Sequence, residues 1–122
     1  MILADTSVWI DHLRSGDQNL RQLLHQGQIL IHPFVIAELA LGSLKDRTTT
    51  LTLLDLMPQA RVAQLDEIRT LIEARHLYNL GIGLTDIHLI ASALISPPTF
   101  LWTRDKPLRK TAEALGIHSR LA

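Results

Sequence analysis

The sequence predicts a single α/β domain over residues 1–122, with a mostly parallel central sheet of four to five strands flanked by helices. Short apolar runs that suit buried strands alternate with longer segments of helical pattern, and this alternation is typical of a parallel sheet. The length of 122 residues is sufficient for one hydrophobic core. The chain has no cysteine, so neither disulfides nor thiolate-bound metal contribute to the fold.

The N-terminal half contains two predicted strands and four predicted helices. In chain order they are a strand at 1–4, helices at 8–13 and 17–26, a strand at 28–32, and helices at 34–41 and 46–57. Both strands are short apolar runs beside turn-forming residues. Asp17 can cap the second helix, which Gly27 ends. Pro33 suits the first turn of the third helix, because that turn needs no backbone N–H donor there, and Pro58 ends the fourth.

The C-terminal half contains three predicted strands and three predicted helices. In chain order they are a short strand at 60–64, a helix capped by Asp66, a helix between Gly83 and Pro97, a strand at 100–103, a helix at 106–115 and a last short strand at 117–118. The helix after Asp66 has apolar residues at three-and-four spacing. The helix between Gly83 and Pro97 is apolar on two opposite sides, so we expect it to be buried.

Charge and hydropathy restrict the class of protein. The 12 basic and 12 acidic residues give a net charge of zero, which disfavours a protein that coats nucleic acid. No apolar run reaches the roughly 18 residues that cross a bilayer, and the first residues lack a basic segment before an apolar signal core. We therefore expect no membrane association and a cytoplasmic location.

Three acidic residues are each the only charged residue in a long, mostly apolar stretch. They are Asp5 within residues 1–10, Glu38 within 22–44 and Asp86 within 76–103, and a fourth acid, Asp105, directly follows the run 99–103. Such stretches are typical of the core, where a bare carboxylate is too unfavourable to bury, so we expect these acids to be paired, neutralised or metal-bound. Four oxygen donors on separate elements suggest a site for a hard cation such as Mg²⁺ or Mn²⁺.

The predicted positions of these acids allow them to meet. Asp5 and Asp105 directly follow predicted strands, and in open α/β sheets ligands bind beyond the carboxyl ends of the strands. The two acids share that edge if their strands are parallel neighbours. Asp86 lies in the first turn of its helix and Glu38 one to two turns into another, so all four can converge on one site.

Each acid also has a purely structural explanation. Asp105 can cap its helix, Asp5 can form a turn, and Asp86 can complement the helix dipole, alone or with Thr85 as the cap. Glu38 lies inside a helix, where no capping role exists, so its alternative is a buried ion pair with a distant arginine. Residue types alone leave these alternatives open.

Other polar residues give weaker signals. The segment 103–110 contains four cations that form either a solvated helix face or a rim that attracts phosphate: Arg104, Lys106, Arg109 and Lys110. The six histidines lack the HxH or HxxxH pairing of zinc sites, although His12 and His88 lie near candidate acids and are candidates to contact a substrate. There is no P-loop and no G-x-S-x-G turn, so phosphate cradling and serine nucleophilic catalysis have no support.

Four segments occur in the order and spacing that PIN domains show. They are residues 5–13 (DTSVWIDHL), the AEL…G segment at 37–42, the TD…IA…AL segment at 85–94 and TRD at 103–105. Over nearly its whole length the chain therefore resembles the PIN domain family. Within that family it is most similar to the VapC-type toxins of bacterial and archaeal toxin–antitoxin pairs.

This resemblance implies a Mg²⁺- or Mn²⁺-dependent endoribonuclease that hydrolyses RNA phosphodiester bonds. It assigns catalysis and metal binding to the four acids, Asp5, Glu38, Asp86 and Asp105. It assigns supporting roles to two hydroxyls, those of Thr6 and Thr103, and makes the four cations of segment 103–110 candidate contacts to the RNA backbone. It also implies a homodimer and a cognate antitoxin protein whose tail covers the active-site groove.

Three other functions stay open on the sequence. A PIN-like nuclease that is not a toxin would use the same acids. A metal-dependent phosphatase usually has a second aspartate two residues after the first, where this chain has Ser7. A non-catalytic interaction module would use the acids only to bind a metal or a basic partner, and it would not require the intact set of four.

Overall fold

Ten helices and strands follow one another in the computed structural model, which describes all residues from 1 to 122. The three strands are β1 (Ile2–Ala4), β2 (Ile29–Leu30) and β3 (Phe100–Trp102). The seven helices are α1 (Thr6–Ser15), α2 (Gln18–His25), α3 (Pro33–Ala40), α4 (Arg47–Asp55), α5 (Leu65–Arg75), α6 (Leu84–Ile95) and α7 (Lys106–Ala114). No helix combines the length and the hydropathy that a membrane span requires.

The three strands form one parallel sheet in the order β2-β1-β3, so β1 is the central strand. Leu3 of β1 pairs with Leu30 on one side and with Leu101 on the other. Each strand is followed within a few residues by a helix, namely α1, α3 or α7. The first turns of these three helices therefore lie at the same edge of the sheet, and the predicted α/β class with a parallel sheet is confirmed.

The predicted number of strands, four to five, is wrong, because two predicted strands do not extend beyond single bridges. Residues 60–64 form no strand, and Gln59 makes one parallel bridge to Ile31 before the chain continues toward α5. Near the C-terminus, His118 makes one parallel bridge to Leu101. A single bridge provides too few backbone hydrogen bonds to continue a ladder, so the sheet has three strands.

Most predicted helices are present, but the cap of α5 differs from the prediction. Asp17 caps α2 as predicted, since its carboxylate accepts the Leu20 N–H at 2.9 Å. The cap of α5 is Gln64 rather than Asp66, and the Gln64 N–H donates to the Glu67 carboxylate at 2.8 Å. Asp66 lies in the first turn instead, where a negative charge complements the helix dipole.

Helix α6 is the most deeply buried element of the core. All residues from 87 to 93 are buried, which confirms the predicted burial of this helix. Its Ser92 hydroxyl is satisfied, because it donates to the carbonyl oxygen of Arg61 at 2.6 Å. The packing of α6 against α5 and β3 fixes the position of its first turn, which contains Asp86.

A buried aromatic cluster joins α3 to α6. His32 caps α3, because its Nδ1 accepts the Phe34 N–H at 2.9 Å. The ring centroids of Phe34 and His88 lie 4.4 Å apart, and those of His32 and His88 lie 6.0 Å apart. Burial, together with the nearby His88, lowers the pKa of His32 to about 4. The His32 imidazole is therefore neutral in the folded protein at pH 7.

We predict that acid destabilises the folded protein through His32. Unfolding restores the ordinary pKa of 6.5, so between pH 6.5 and about 4 the unfolded chain binds a proton that the folded protein does not. Stability should fall as the pH decreases through this window, by about 2 kcal/mol between pH 7 and pH 5. His32→Asn keeps an oxygen that can accept the Phe34 N–H, and it should lose this part of the pH dependence in urea unfolding.

The matched control is His25→Asn, which replaces an exposed histidine at the end of α2. This variant should retain the pH dependence of the parent. Identical pH dependence in His32→Asn and in the parent would contradict the assigned role of His32.

Candidate active site

Four acidic side chains line one pocket at the carboxyl edge of the sheet. The pocket has a volume of about 370 Å³. Its lining consists of Asp5, Thr6, Ser7, Glu38, Leu41, Asp86, Leu89 and Asp105. Asp5 follows β1 and Asp105 follows β3, and these two strands are parallel neighbours, so both acids lie at the same edge. The structure thus brings all four candidate acids to one place.

Asp5 is the most buried of the four acids, with 5% of the residue exposed. It is also the N-cap of α1, because its Oδ1 accepts the Val8 N–H at 3.2 Å. The Ser7 hydroxyl donates to Oδ1 and the Thr103 hydroxyl donates to Oδ2. Burial raises the pKa of the Asp5 carboxyl above its ordinary value, although these hydrogen bonds oppose the shift. The partners of this buried carboxylate are therefore hydroxyl and amide donors, not a cationic side chain.

The same two hydroxyls connect Asp5 to the loop after β3. The Ser7 hydroxyl accepts the Arg104 N–H at 3.2 Å, and the Thr103 hydroxyl accepts the Asp105 N–H at 3.0 Å. Thr103, a predicted supporting residue, thus contacts one acid and the backbone of another. Sequence reasoning misses Ser7, for which the only signal is a hydroxyl two residues after Asp5 in a turn-forming segment.

Asp86 lies in the first turn of α6, and the charges of the other three acids change its pKa. Its Oδ2 accepts the Gly83 N–H at 3.0 Å, so the acid itself, rather than Thr85, satisfies this donor at the start of the helix. Burial raises the pKa of Asp86, and nearby negative charges raise it further. These charges belong to Asp105, Asp5 and Glu38. The four acids are therefore close enough to repel one another.

Glu38 is exposed, which differs from the burial that its apolar neighbours predict. Its side chain is on the face of α3 that borders the pocket, whereas Val35 and Leu39 of the same helix are buried. The Thr6 hydroxyl donates to Glu38 Oε1 at 2.5 Å, and no arginine pairs with this acid. The alternative of a buried ion pair is therefore wrong, and Thr6 contacts an acid as a supporting residue would.

Asp105 is exposed beside the pocket and caps α7, because its Oδ2 accepts the Leu108 N–H at 3.0 Å. Capping is thus a correct structural explanation for this acid. It does not exclude a second role, since Asp105 Oδ1 accepts no hydrogen bond from the protein. The same is true of one carboxylate oxygen of Glu38 and one of Asp86. Three acids therefore each keep an oxygen free for a ligand.

Two of the four cations of segment 103–110 are engaged within the protein, and two are free to bind a ligand. Arg104 pairs with Asp17 at 2.5 Å and with Asp11 at 2.7 Å, and it lies over the Trp102 ring at 5.5 Å. Arg109 reaches the carbonyl oxygens of residues 103 and 121 at 3.5 Å each. The remaining two cations, Lys106 and Lys110, are exposed and their side chains make no hydrogen bond or ion pair.

The two histidines near candidate acids in the sequence do not line the pocket. His12 Nδ1 accepts the Asp17 N–H at 3.0 Å, on the far part of α1. His88 is 2% exposed and packs against Phe34 and His32. Neither hydrogen-bonds to a candidate acid, so the structure gives no support for a contact between these histidines and a substrate.

The chemistry of the donor set fits a hard divalent cation. All four candidate ligands are carboxylates, which Mg²⁺ and Mn²⁺ prefer to nitrogen or sulfur. As the side chains stand, no three of the His, Asp and Glu residues are grouped closely enough to bind one ion. A cation would have to draw these carboxylates together against their mutual repulsion, and it would relieve that repulsion by doing so.

We predict that Asp86→Asn stabilises the metal-free protein. The folded-state pKa of Asp86 is raised above its ordinary value of 3.8, so its ionisation opposes folding at neutral pH. Removing the charge ends both the cost of burying it and its repulsion by the other three acids, so we expect a small gain in stability at pH 7. The gain in stability should disappear as the pH falls below 3.8, the ordinary pKa of the carboxyl, because Asp86 is then protonated in both the folded and the unfolded protein.

Thermal unfolding with a chelator present measures this gain, and the asparagine keeps an oxygen for the Gly83 N–H. Glu73→Gln, an exposed acid on α5 without side-chain partners, is the matched control and should not stabilise the protein. A melting temperature of Asp86→Asn at or below that of the parent at pH 7 would show that the acids do not repel one another in the folded state.

Comparison with known proteins identifies the family. The sequence profile described as PIN domain matches residues 2–114. Two curated relatives, both named Ribonuclease VapC32, come from the Mycobacterium tuberculosis strains CDC 1551 / Oshkosh and ATCC 25618 / H37Rv. Each is 44% identical to this chain over 117 residues, which cover 96% of this chain and 94% of the relative. The chain therefore belongs to the PIN domain family and is a PIN protein of the VapC type.

Proposed function

We propose that this protein is a metal-dependent endoribonuclease and the toxin of a toxin–antitoxin pair. The observation that carries the proposal is the convergence of four carboxylates from separate elements in one pocket at the sheet edge. The similarity to proteins named Ribonuclease VapC32 supports RNA as the substrate. PIN ribonucleases generally use a divalent metal, and the all-carboxylate donor set supports Mg²⁺ or Mn²⁺.

The carboxylates have different roles in this proposal. Asp5, Asp86 and Asp105 hold the cation, directly or through water. When bound, a divalent cation lowers the pKa of a coordinated water and offsets the negative charge that develops on the phosphoryl group. Glu38 ligates the cation or orients the attacking water. It has an oxygen available for either role, because the Thr6 hydroxyl donates only to its Oε1.

Hydroxyl groups keep the acids in place during this reaction. Ser7 and Thr103 each donate to a different oxygen of Asp5, so the carboxylate cannot rotate without breaking a hydrogen bond. Thr6 restricts Glu38 in the same way. Positioned groups of this kind reduce the reorganisation that the reaction requires.

The free cations near the pocket are the better candidates for contacts to the RNA backbone. Lys106 and Lys110 are exposed and unpaired, so they can bind phosphate without breaking an existing ion pair. Arg104 and Arg109 are engaged within the protein and hold the loop after β3 instead.

The partners in this proposal are an RNA substrate, a cognate antitoxin protein and a second copy of the chain. The VapC type supports the antitoxin, and a homodimer is the assembly that we propose. RNA as the substrate also supports a cytoplasmic site of action. Several large apolar side chains are exposed, among them Leu41, Leu53 and Leu56, and apolar surface of this kind is available for association.

We predict that Asp5→Asn and Asp86→Asn each abolish RNA cleavage in the presence of Mg²⁺ or Mn²⁺. Each substitution removes a negative ligand, and we expect a loss of at least about 100-fold in the cleavage rate. A chelator should have the same effect on the parent. Gel analysis of a labelled single-stranded RNA measures the rates, with Glu73→Gln as the control that retains full activity.

Cleavage by Asp5→Asn at the parent rate, or undiminished cleavage with the chelator present, would contradict the assigned roles. Hydrolysis of a chromogenic phosphate ester without any cleavage of RNA would favour a metal-dependent phosphatase. Folded protein that hydrolyses neither substrate with either metal would favour a non-catalytic interaction module.

We predict that the protein is a homodimer in solution. Light scattering at micromolar concentration should give about twice the chain mass of 13.7 kDa. A strictly monomeric mass across that concentration range would contradict the dimer and leave the exposed leucines without a partner copy.

A further inference from the structure

A second cavity adjoins the pocket of the four acids and has no role in the proposed reaction. This groove has a volume of about 860 Å³ and lies between α1, α3 and the segment that connects α3 to α4. Its apolar residues are Ile10, Leu13, Leu39 and Leu44. Its volume is within the range of specific ligand sites. Glu38 lines both cavities, so the groove opens directly into the candidate active site.

We propose that this groove is a nucleobase subsite, which binds one base of the single-stranded RNA next to the scissile phosphate. The inference rests on the proposed ribonuclease function and adds to it the part of the substrate that the protein recognises. The sugar and phosphate lie at the four acids, and the adjacent base packs on the apolar residues of the groove.

The lining of the groove matches the chemistry of a base. A nucleobase has apolar faces and polar edges, and unstacked bases bind between aromatic or apolar side chains. Ile10 and Leu13 are 41% and 38% exposed on one side of α1, so apolar surface is available there for a base. The Ser43 hydroxyl can hydrogen-bond to a base edge, whereas the Thr50 hydroxyl donates to the Lys45 carbonyl oxygen at 3.0 Å and can only accept from a base.

The charges along the groove fit a phosphate backbone that passes over it. Arg14 and Lys45 line the groove, are exposed, and have side chains without a hydrogen bond or ion pair. Arg47 is close in sequence but is engaged by the carbonyl oxygens of residues 40 and 42 at 2.6 and 3.3 Å. The groove also contains the acids Glu38 and Asp46, and Glu38 belongs to the catalytic end, where cation binding offsets its charge.

The walls of the groove exclude strand addition by an extended peptide, and its unpaired cations, Arg14 and Lys45, favour a ligand with phosphates over an amphipathic helix that binds by its apolar face. The walls consist of α1, α3, the segment between α3 and α4, and Thr50 of α4, and none is a strand of the sheet. An extended peptide that binds by strand addition needs a free sheet edge for backbone hydrogen bonds. A base needs only an apolar surface and a polar rim, and the groove has both.

The test combines RNA substrates that lack one base with protein variants that lack apolar groove side chains. The cleavage site of the parent is first mapped in a single-stranded oligonucleotide, and oligonucleotides with one abasic nucleotide on either side of that site are then prepared. The variants are Leu13→Ser and Leu44→Ser in the groove. Leu65→Ser and Leu80→Ser are matched controls, because these leucines are 58% and 43% exposed and line neither cavity.

We expect one abasic position to raise the KM of the parent about 5-fold, the lower end of the range for one stacked base, because the groove is lined by aliphatic and not by aromatic side chains. The same abasic change should alter the KM of Leu13→Ser and Leu44→Ser less than about 2-fold. In these variants the apolar surface on which the base packs is already lost, so removing the base as well has little further effect. Leu65→Ser and Leu80→Ser should show the full effect of about 5-fold. Thermal unfolding verifies that each variant is folded, and either groove variant alone decides the result.

Three outcomes would overturn the subsite. The parent could cleave all abasic oligonucleotides as well as the intact one, or the abasic effect could be equally large in the groove variants and the parent. The groove variants could also have the same KM as the parent for every oligonucleotide, which would indicate that the groove binds a protein partner and not RNA. Failure of the proposed function is distinct from all three, because the parent would then cleave no RNA at all.

Discussion

The buried carboxylate of Asp5 must be stabilised by the protein itself, because it lies at the end of the central strand with little access to water. A bare charge in that position would be strongly unfavourable. Hydroxyls from Ser7 and Thr103 hold its two oxygens, and each hydroxyl also accepts a backbone N–H from the loop after β3. The solvation of one acid thus determines the path of the loop that carries Asp105.

The other acids depend on a balance of opposing electrostatic effects. Asp5 and Asp105 are N-caps, and Asp86 lies in a first turn, so helix dipoles favour their negative charges. Burial and mutual repulsion oppose those charges and raise the pKa of Asp86. A site that is partly stabilised by helix ends and still rich in unpaired carboxylate oxygen is suited to a divalent cation. Structural capping and metal binding are therefore compatible roles of the same residues.

Local sequence pattern was sufficient for the elements that bear the acids, and insufficient for contacts between distant residues. The strand before Asp5, the strand before Asp105 and the burial of α6 follow from hydrophobic pattern, and parallel pairing then brings the strand ends together. The apolar neighbours of Glu38 could not indicate that its own side chain is exposed at the pocket, because they do not specify which helix face packs. The pairing of Arg104 with Asp11 and Asp17 joins residues about 90 positions apart, and no local pattern predicts such a contact.

The proposed chemistry requires that the four carboxylates form a single binding site for a divalent cation. Crystals grown with Mn²⁺ and measured near the manganese absorption edge test it most directly, because the anomalous signal locates the ion independently of any assumed ligand. We expect a peak in the pocket, with oxygens of Asp5, Asp86 or Asp105 among the ligands of the ion at about 2.1 Å. A well-ordered pocket without that peak, or manganese bound only elsewhere on the protein, would show that the four acids do not form a cation site.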